Sequence, residues 1–113
     1  MPAQHLPRCA EVRQRIEAYW RPYHAQLAAD IAAIKARFGH CILLDAHSIF
    51  SEVPRFFPGK LPDLNLGTAE GRSCAPAIEA RAAAVLAGAK GFTHVVNGRF
   101  KGGYVTRHYG RPA

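Results

Sequence analysis

Residues 41–48 read CILLDAHS, and the fold class turns on that stretch. Its first six residues form a short apolar run ending at turn-rich sequence, the form of a strand buried on both faces of a parallel sheet. Upstream, Val12, Ile16, Tyr19, Trp20, Tyr23, Leu27, Ile31, Ile34 and Phe38 recur at three- and four-residue steps, which is the stripe of an amphipathic helix. A helix running into a buried strand implies an α/β architecture with helices flanking a sheet.

Pro22 interrupts the helical stripe. It removes a backbone donor and disfavours helix at Arg21, so the sequence predicts a kink or a fresh helix with Pro22 in its first turn. Gly39 supplies the stop. Trp20, Tyr19 and Tyr23 lie at helical spacing, which reads as core packing rather than a base-stacking platform. Residues 47–73 carry Pro54, Pro58, Pro62, Gly59, Gly67 and Gly71 and read as a long loop, a feature that in compact domains is usually functional. Residues 76–89 are alanine-rich and helical, with Pro76 in the first turn and an end near Gly91. Residues 92–96 (FTHVV) read as a second strand, and residues 104–109 as a third extended piece of β-rich composition. One domain over residues 1–113 is expected, with an irregular N-terminus over residues 1–10 and no internal repeat.

The chain has 113 residues, 49% hydrophobic and 20% charged, which fits a globular unit and excludes a disordered tail. No apolar run reaches the roughly 20 residues of a membrane span, and the first ten residues lack a signal-peptide core. A soluble cytoplasmic protein is expected. Cys9, Cys41 and Cys74 are odd in number and widely spaced, which argues against a disulfide framework or a cysteine zinc knuckle and suits a reducing compartment. Cys41, inside the apolar run, reads as a buried small hydrophobe.

The net charge of +7 admits nucleic acid, an anionic surface or an acidic small substrate as partner. Its distribution discriminates between them. The first third mixes signs like a solvated helix face, whereas Arg99, Lys101, Arg107 and Arg111 occur with no acidic residue between them. That cluster favours an anion.

Ligands of open α/β sheets bind beyond the carboxyl ends of the strands. Asp45, His47 and Ser48 leave the first expected strand there. Asp45 and His47, two apart, share a face if the strand continues, which is either a metal or acid/base position or a hydrogen-bonded structural histidine. A catalytic zinc needs about three protein ligands, and no HxxE or HxH pair occurs. Asn97 and Arg99 leave the second strand in the same way. Asn97-Gly98 is also an ordinary turn dipeptide, but a guanidinium at strand ends suits bidentate carboxylate recognition, with Lys101 or Arg107 available for a second carboxylate. No phosphate-loop spacing is present. His5, His24, His40 and His94 read as structural or exposed, and His108 stays open between these roles and a ligand.

Four blocks, RIEAYWRPYHAQL (15–27), LLDAHSIFSEVPRFF (43–57), LPDLNLGTAEGRSC (61–74) and NGRFKGGYVTRHYGRP (97–112), together resemble N-formylglutamate amidohydrolases, from about residue 11 to the end. The resemblance implies a three-layer fold related to zinc-dependent exopeptidases, of which this chain holds part. It also implies a divalent metal, expected to be zinc, and hydrolysis of N-formyl-L-glutamate to formate and L-glutamate late in histidine breakdown. It makes His47 a metal ligand with Asp45 and Ser48 behind it, and places Asn97, Arg99 and Arg107 where an acidic substrate is recognised. Family members are longer. They open with a Pro-His-Ser/Ala-Gly block and continue into a segment with a glutamate suited to the general-base role, and neither is matched here. An incomplete site with little activity of its own is therefore expected.

Two other readings come from the same residues. The basic tail makes a nucleic-acid or anion-binding module the alternative function, with nucleic acid the less favoured partner. A remnant of a larger sheet would instead associate through its uncovered strand edges.

Overall fold

A computed structural model describes residues 8–112. They group into two compact units, Met1–Leu43 and Leu44–Ala113.

The first unit is a run of helical backbone. Helix α1 spans Cys9–Arg15, a π-helical turn spans Ile16–Trp20, and α2 spans Arg21–Phe38. At the start, Glu11 accepts a hydrogen bond from the Arg8 N–H at 3.0 Å, satisfying one donor that a helix N-terminus leaves unpaired. The π-turn has a cause in the sequence. Pro22 has no N–H to offer the Ala18 carbonyl and its ring crowds that group; the Arg21 N–H reaches back five residues to the Ile16 carbonyl instead. Arg21 also pairs with Glu17 at 2.8 Å, the favourable order for residues four apart. Gly39 ends α2 at φ 82°, a left-handed conformation that glycine adopts without steric cost.

The helix, its interruption at Pro22 and its stop match the expectation. Burial of its aromatic stripe does not. Tyr19 and Tyr23 remain 74% and 60% exposed, and no described residue of the three helical segments is buried. A single helical rod has no second apolar face in its own unit against which to close. Val12, Ile16, Tyr19, Trp20 and Tyr23, with Arg15, instead line an open apolar groove.

The second unit contains β1 (Leu64–Leu66), α3 (Pro76–Ala87), β2 (His94–Val96) and α4 (Tyr104–Tyr109). β1 and β2 are parallel neighbours with Leu64 opposite His94 and Leu66 opposite Val96, and α3 supplies the crossover that parallel strands require. Register is set by a reciprocal clamp one residue ahead of the pair. Thr93 Oγ1 accepts from the Asp63 N–H at 2.9 Å, and Asp63 Oδ2 accepts from the Thr93 N–H at 2.9 Å and its hydroxyl at 3.0 Å. The mixed α/β class is thereby established, with a two-stranded parallel sheet. Helix α3 starts at Pro76 as expected and stops at Ala87, slightly short of the reading.

Three expectations are corrected. Residues 41–46 are not a strand. Ile42 and Leu44 are 65% and 80% exposed, and with no described strand beside it an extended apolar run has no ladder to join. The first strand is Leu64–Leu66, inside the stretch read as loop. Residues 104–109 form a helix, in which the Arg107 N–H bonds the Gly103 carbonyl at 3.1 Å and the Gly110 N–H bonds the Thr106 carbonyl at 3.0 Å; β propensity is a packing preference, and local hydrogen bonds prevail without a sheet edge. Of the expected irregular N-terminus, residues 1–7, including His5, lie outside the described residues, and Cys9 and Ala10 already belong to α1.

Among the described residues the buried ones are Phe57, Leu61, Thr68 and Ala69, all in the second unit. Phe57 meets Phe100 edge to face, ring centroids 5.9 Å apart; burying one such ring stabilises the unit by about 2–3 kcal/mol. Cys41 and Cys74 are half-buried, Cys9 is exposed, and all three are free. No described helix is long and apolar enough to cross a membrane.

Candidate functional site

Both strands end, at their carboxyl ends, in loops that fold onto each other. The loop after β1, GTAEGRS (67–73), contains three consecutive left-handed residues, Ala69 (φ 52°), Glu70 (φ 58°) and Gly71 (φ 84°). Non-glycine residues adopt that conformation at a cost of about 1 kcal/mol or more each, and keep it only where surrounding bonds dictate it. Asn97, the first residue past β2 and itself at φ 52°, supplies several. Its Oδ1 accepts from the Thr68 N–H at 2.8 Å and the Glu70 N–H at 3.3 Å, while Nδ2 donates to the Thr68 hydroxyl at 2.8 Å.

Thr68 is the node of this network. Its side chain is buried, its hydroxyl donates to the Glu79 carboxylate on α3, and its Oγ1 also accepts from the Gly71 N–H at 3.0 Å. Its carbonyl takes the Ser73 N–H at 3.1 Å and the Ser73 hydroxyl at 2.8 Å. The Ala69 N–H bonds the Lys101 carbonyl at 2.6 Å, which ties the two loops together.

Glycine permits the close approach. A Cβ on Gly67 would stand 2.6 Å from the Gly102 nitrogen, and one on Gly110 would collide with Ser73. The loop after β1, the loop after β2 and the end of α4 therefore meet at their backbones. Between them lies a pocket of about 280 Å³ lined by Ala69, Arg72, Ser73, Arg107 and Gly110.

The expected site residues distribute as follows. Arg107 lines this pocket, with one guanidinium nitrogen donating to the Gly102 carbonyl at 3.0 Å. Asn97 lies at the pocket's support, its side chain holding the 68–70 backbone. Arg99 turns to the loop before β1, donating to the Phe56 carbonyl and lying 5.9 Å from the Phe57 ring centre. Lys101 pairs with Glu70 at 2.5 Å, and this cation, more than Arg72 nearby, holds the Glu70 carboxyl below its ordinary value. His108 stacks on Tyr104, ring centroids 4.9 Å apart. The sequence reading missed Arg72, Thr68 and Glu79; the signal for the first was a lone guanidinium between Gly71 and Ser73 in a glycine-rich loop.

Asp45, His47 and Ser48 are exposed. His47 Nε2 lies 3.0 Å from Asp45 Oδ2, so the imidazole has one nitrogen engaged and the other, Nδ1, available. Among the described residues no group of three His, Cys, Asp or Glu side chains is placed to hold a metal ion. This pair falls short of the roughly three protein ligands that a catalytic zinc takes.

Comparison with known proteins bears on the same loops. The chain is 58% identical over 104 residues to N-formylglutamate deformylase from Pseudomonas aeruginosa, covering 91% of this chain and 39% of that protein. It is 50% identical over 107 residues to N-formylglutamate deformylase from Pseudomonas putida, covering 95% and 40%. The chain thus spans about two fifths of the length of these curated relatives. No solved structure matches it. Residues 3–113, which include both strand-end loops and the Asp45–His47 pair, match the family model for N-formylglutamate amidohydrolase. The chain belongs to the N-formylglutamate amidohydrolase family.

Proposed function

We propose that this chain forms the acidic-substrate side of a metal-dependent site that hydrolyses N-formyl-L-glutamate to formate and L-glutamate, a step of histidine breakdown. The observation that carries the reading is Arg107. It lines a concave pocket at the carboxyl ends of parallel strands, where α/β folds take ligands, and its fork has no acidic partner among the described residues. A bidentate guanidinium matches a carboxylate in shape and charge. In the reaction, water adds to the formyl carbon, the C–N bond breaks and the nitrogen leaves as the amine of glutamate after gaining a proton.

His47 is proposed as one ligand of the divalent cation, expected to be zinc, through the Nδ1 that Asp45 leaves free; a carboxylate on the far nitrogen orients the ring and fixes its tautomer. Ser48 is proposed to stand behind this pair. The described residues do not complete a ligand set. Asn97 acts by fixing the loop that borders the pocket, and Arg99, bonded to the Phe56 carbonyl, ties the segment after β2 to the loop before β1. The β1–α3–β2 unit fits the parallel crossover of a three-layer exopeptidase-like fold, and the free cysteines fit a reducing cytoplasm. Among the described residues each strand has a partner on one side only, which leaves edges for association.

Calorimetric titration of N-formyl-L-glutamate into the chain tests the reading. Binding that weakens about tenfold in Arg107→Met, the loss of one charge-assisted bidentate pair, is the expected outcome. Absence of binding at millimolar ligand, or equal binding by the variant, would overturn it.

A further inference from the structure

We propose that Arg72 is a specificity-determining residue, forming with Arg107 a two-guanidinium clamp for one carboxylate of the substrate. This rests on the reading that the strand-end loops bind an acidic substrate. Both arginines line the same pocket, and none of its other lining residues is acidic. Each is held by one hydrogen bond to backbone: Arg72 Nε donates to the Ala69 carbonyl at 2.9 Å, and Arg107 to the Gly102 carbonyl at 3.0 Å. Neither has an ion-pair partner among the described residues. The acid nearest in sequence, Glu70, is taken by Lys101. The terminal nitrogens of Arg72 are therefore free while its Nε is fixed, which lowers the ordering cost of binding an anion.

The left-handed run Ala69–Glu70–Gly71 has the same consequence. It turns the chain so that Arg72 follows the bend, and the Thr68–Asn97–Glu79 network that maintains it lies behind the pocket. Two cations in one concavity whose other lining residues are not acidic set a preference for a dianionic ligand over a monoanionic analogue.

The probes are N-formyl-L-glutamate, N-formyl-L-glutamine and inorganic phosphate, titrated into the full chain while the arginine Nε–Hε resonances are followed by NMR. N-formyl-L-glutamate is expected to move the Arg72 and Arg107 signals and to bind about tenfold more tightly than N-formyl-L-glutamine. Arg72→Gln keeps a donor for the Ala69 carbonyl and removes the charge; it is expected to abolish that preference, with Arg72→Lys recovering part of it and Arg13→Met, a matched loss of charge in α1, leaving it intact. Unmoved Arg72 signals in the unmodified chain, or a preference kept by Arg72→Gln, would overturn the clamp while Arg107-dependent binding left the functional reading in place. Phosphate moving both signals while neither formyl amino acid binds would instead preserve the clamp and remove the substrate reading.

Discussion

Replacing Asn97 tests the interlock of the two loops, because three bonds and a left-handed backbone meet at one residue. In Asn97→Ala the Thr68 N–H, which sits on a buried residue, loses its acceptor; the Glu70 N–H loses its longer bond, and the Thr68 hydroxyl loses the Nδ2 donor. An unsatisfied buried donor costs about 1–3 kcal/mol. Alanine at φ 52° adds about 1 kcal/mol that asparagine, which tolerates this region, largely avoids. The combined loss is about 3 kcal/mol. Asn97→Gly removes the same bonds but relieves the backbone, so it should cost about 2 kcal/mol, and Asn97→Asp, which retains the acceptor, about 1 kcal/mol. Urea denaturation followed by circular dichroism, with hydrogen exchange at the Thr68 amide, reads both effects. A loss below about 0.5 kcal/mol in Asn97→Ala, or a glycine variant less stable than the alanine one, would refute the assignment of the backbone and side-chain roles.

Other consequences can be measured separately. The Thr93 N–H first, and its hydroxyl second, hold the Asp63 carboxyl below its ordinary value; a lowered folded value stabilises fully above the unfolded one and is lost as pH falls through the folded one, so Asp63→Asn should flatten acid unfolding as pH falls through and below the ordinary carboxylate range. Unchanged acid sensitivity would contradict the clamp. Gly67→Ala should destabilise by about 2 kcal/mol, because its Cβ meets the fixed Lys101–Gly102 backbone rather than a movable side chain, and a thermal shift of less than about 2 °C would count against that contact. The chain with added zinc should release no formate from N-formyl-L-glutamate, since Asp45 and His47 fall short of a ligand set; release that disappears in His47→Ala would show a site assembled from fewer groups.

Local signals were legible where the cause was local. Pro22 and Gly39 set the interruption and end of the first helical run, Pro76 set the start of α3, and the FTHVV run contained β2. Residues 41–46 misled because a strand exists only through its partner, which composition does not contain. Residues 104–109 misled because tyrosine, valine and threonine favour strands only where a sheet edge receives them, and here glycines at 102 and 103 lead into a helical turn. β1, three residues long, was hidden in a loop rich in proline and glycine.

The site was legible in part. Clustered positive charge near the end pointed to Arg107, but nothing in sequence distance linked it to Arg72, which reaches the same pocket through a left-handed turn held from Asn97. The roles of Thr68 and Glu79 depend on a hydrogen bond between a loop and a helix eleven residues later, a relation without a periodic signature.

The most direct test of the central claim is a titration of N-formyl-L-glutamate into the isotopically labelled chain, with backbone amide shifts mapped along the sequence. The expected result is perturbation concentrated in residues 67–73 and 97–110, with the α2 amides unmoved. No perturbation at millimolar ligand, or shifts centred on the helical segments instead, would contradict the assignment of these strand-end loops as the acidic-substrate site.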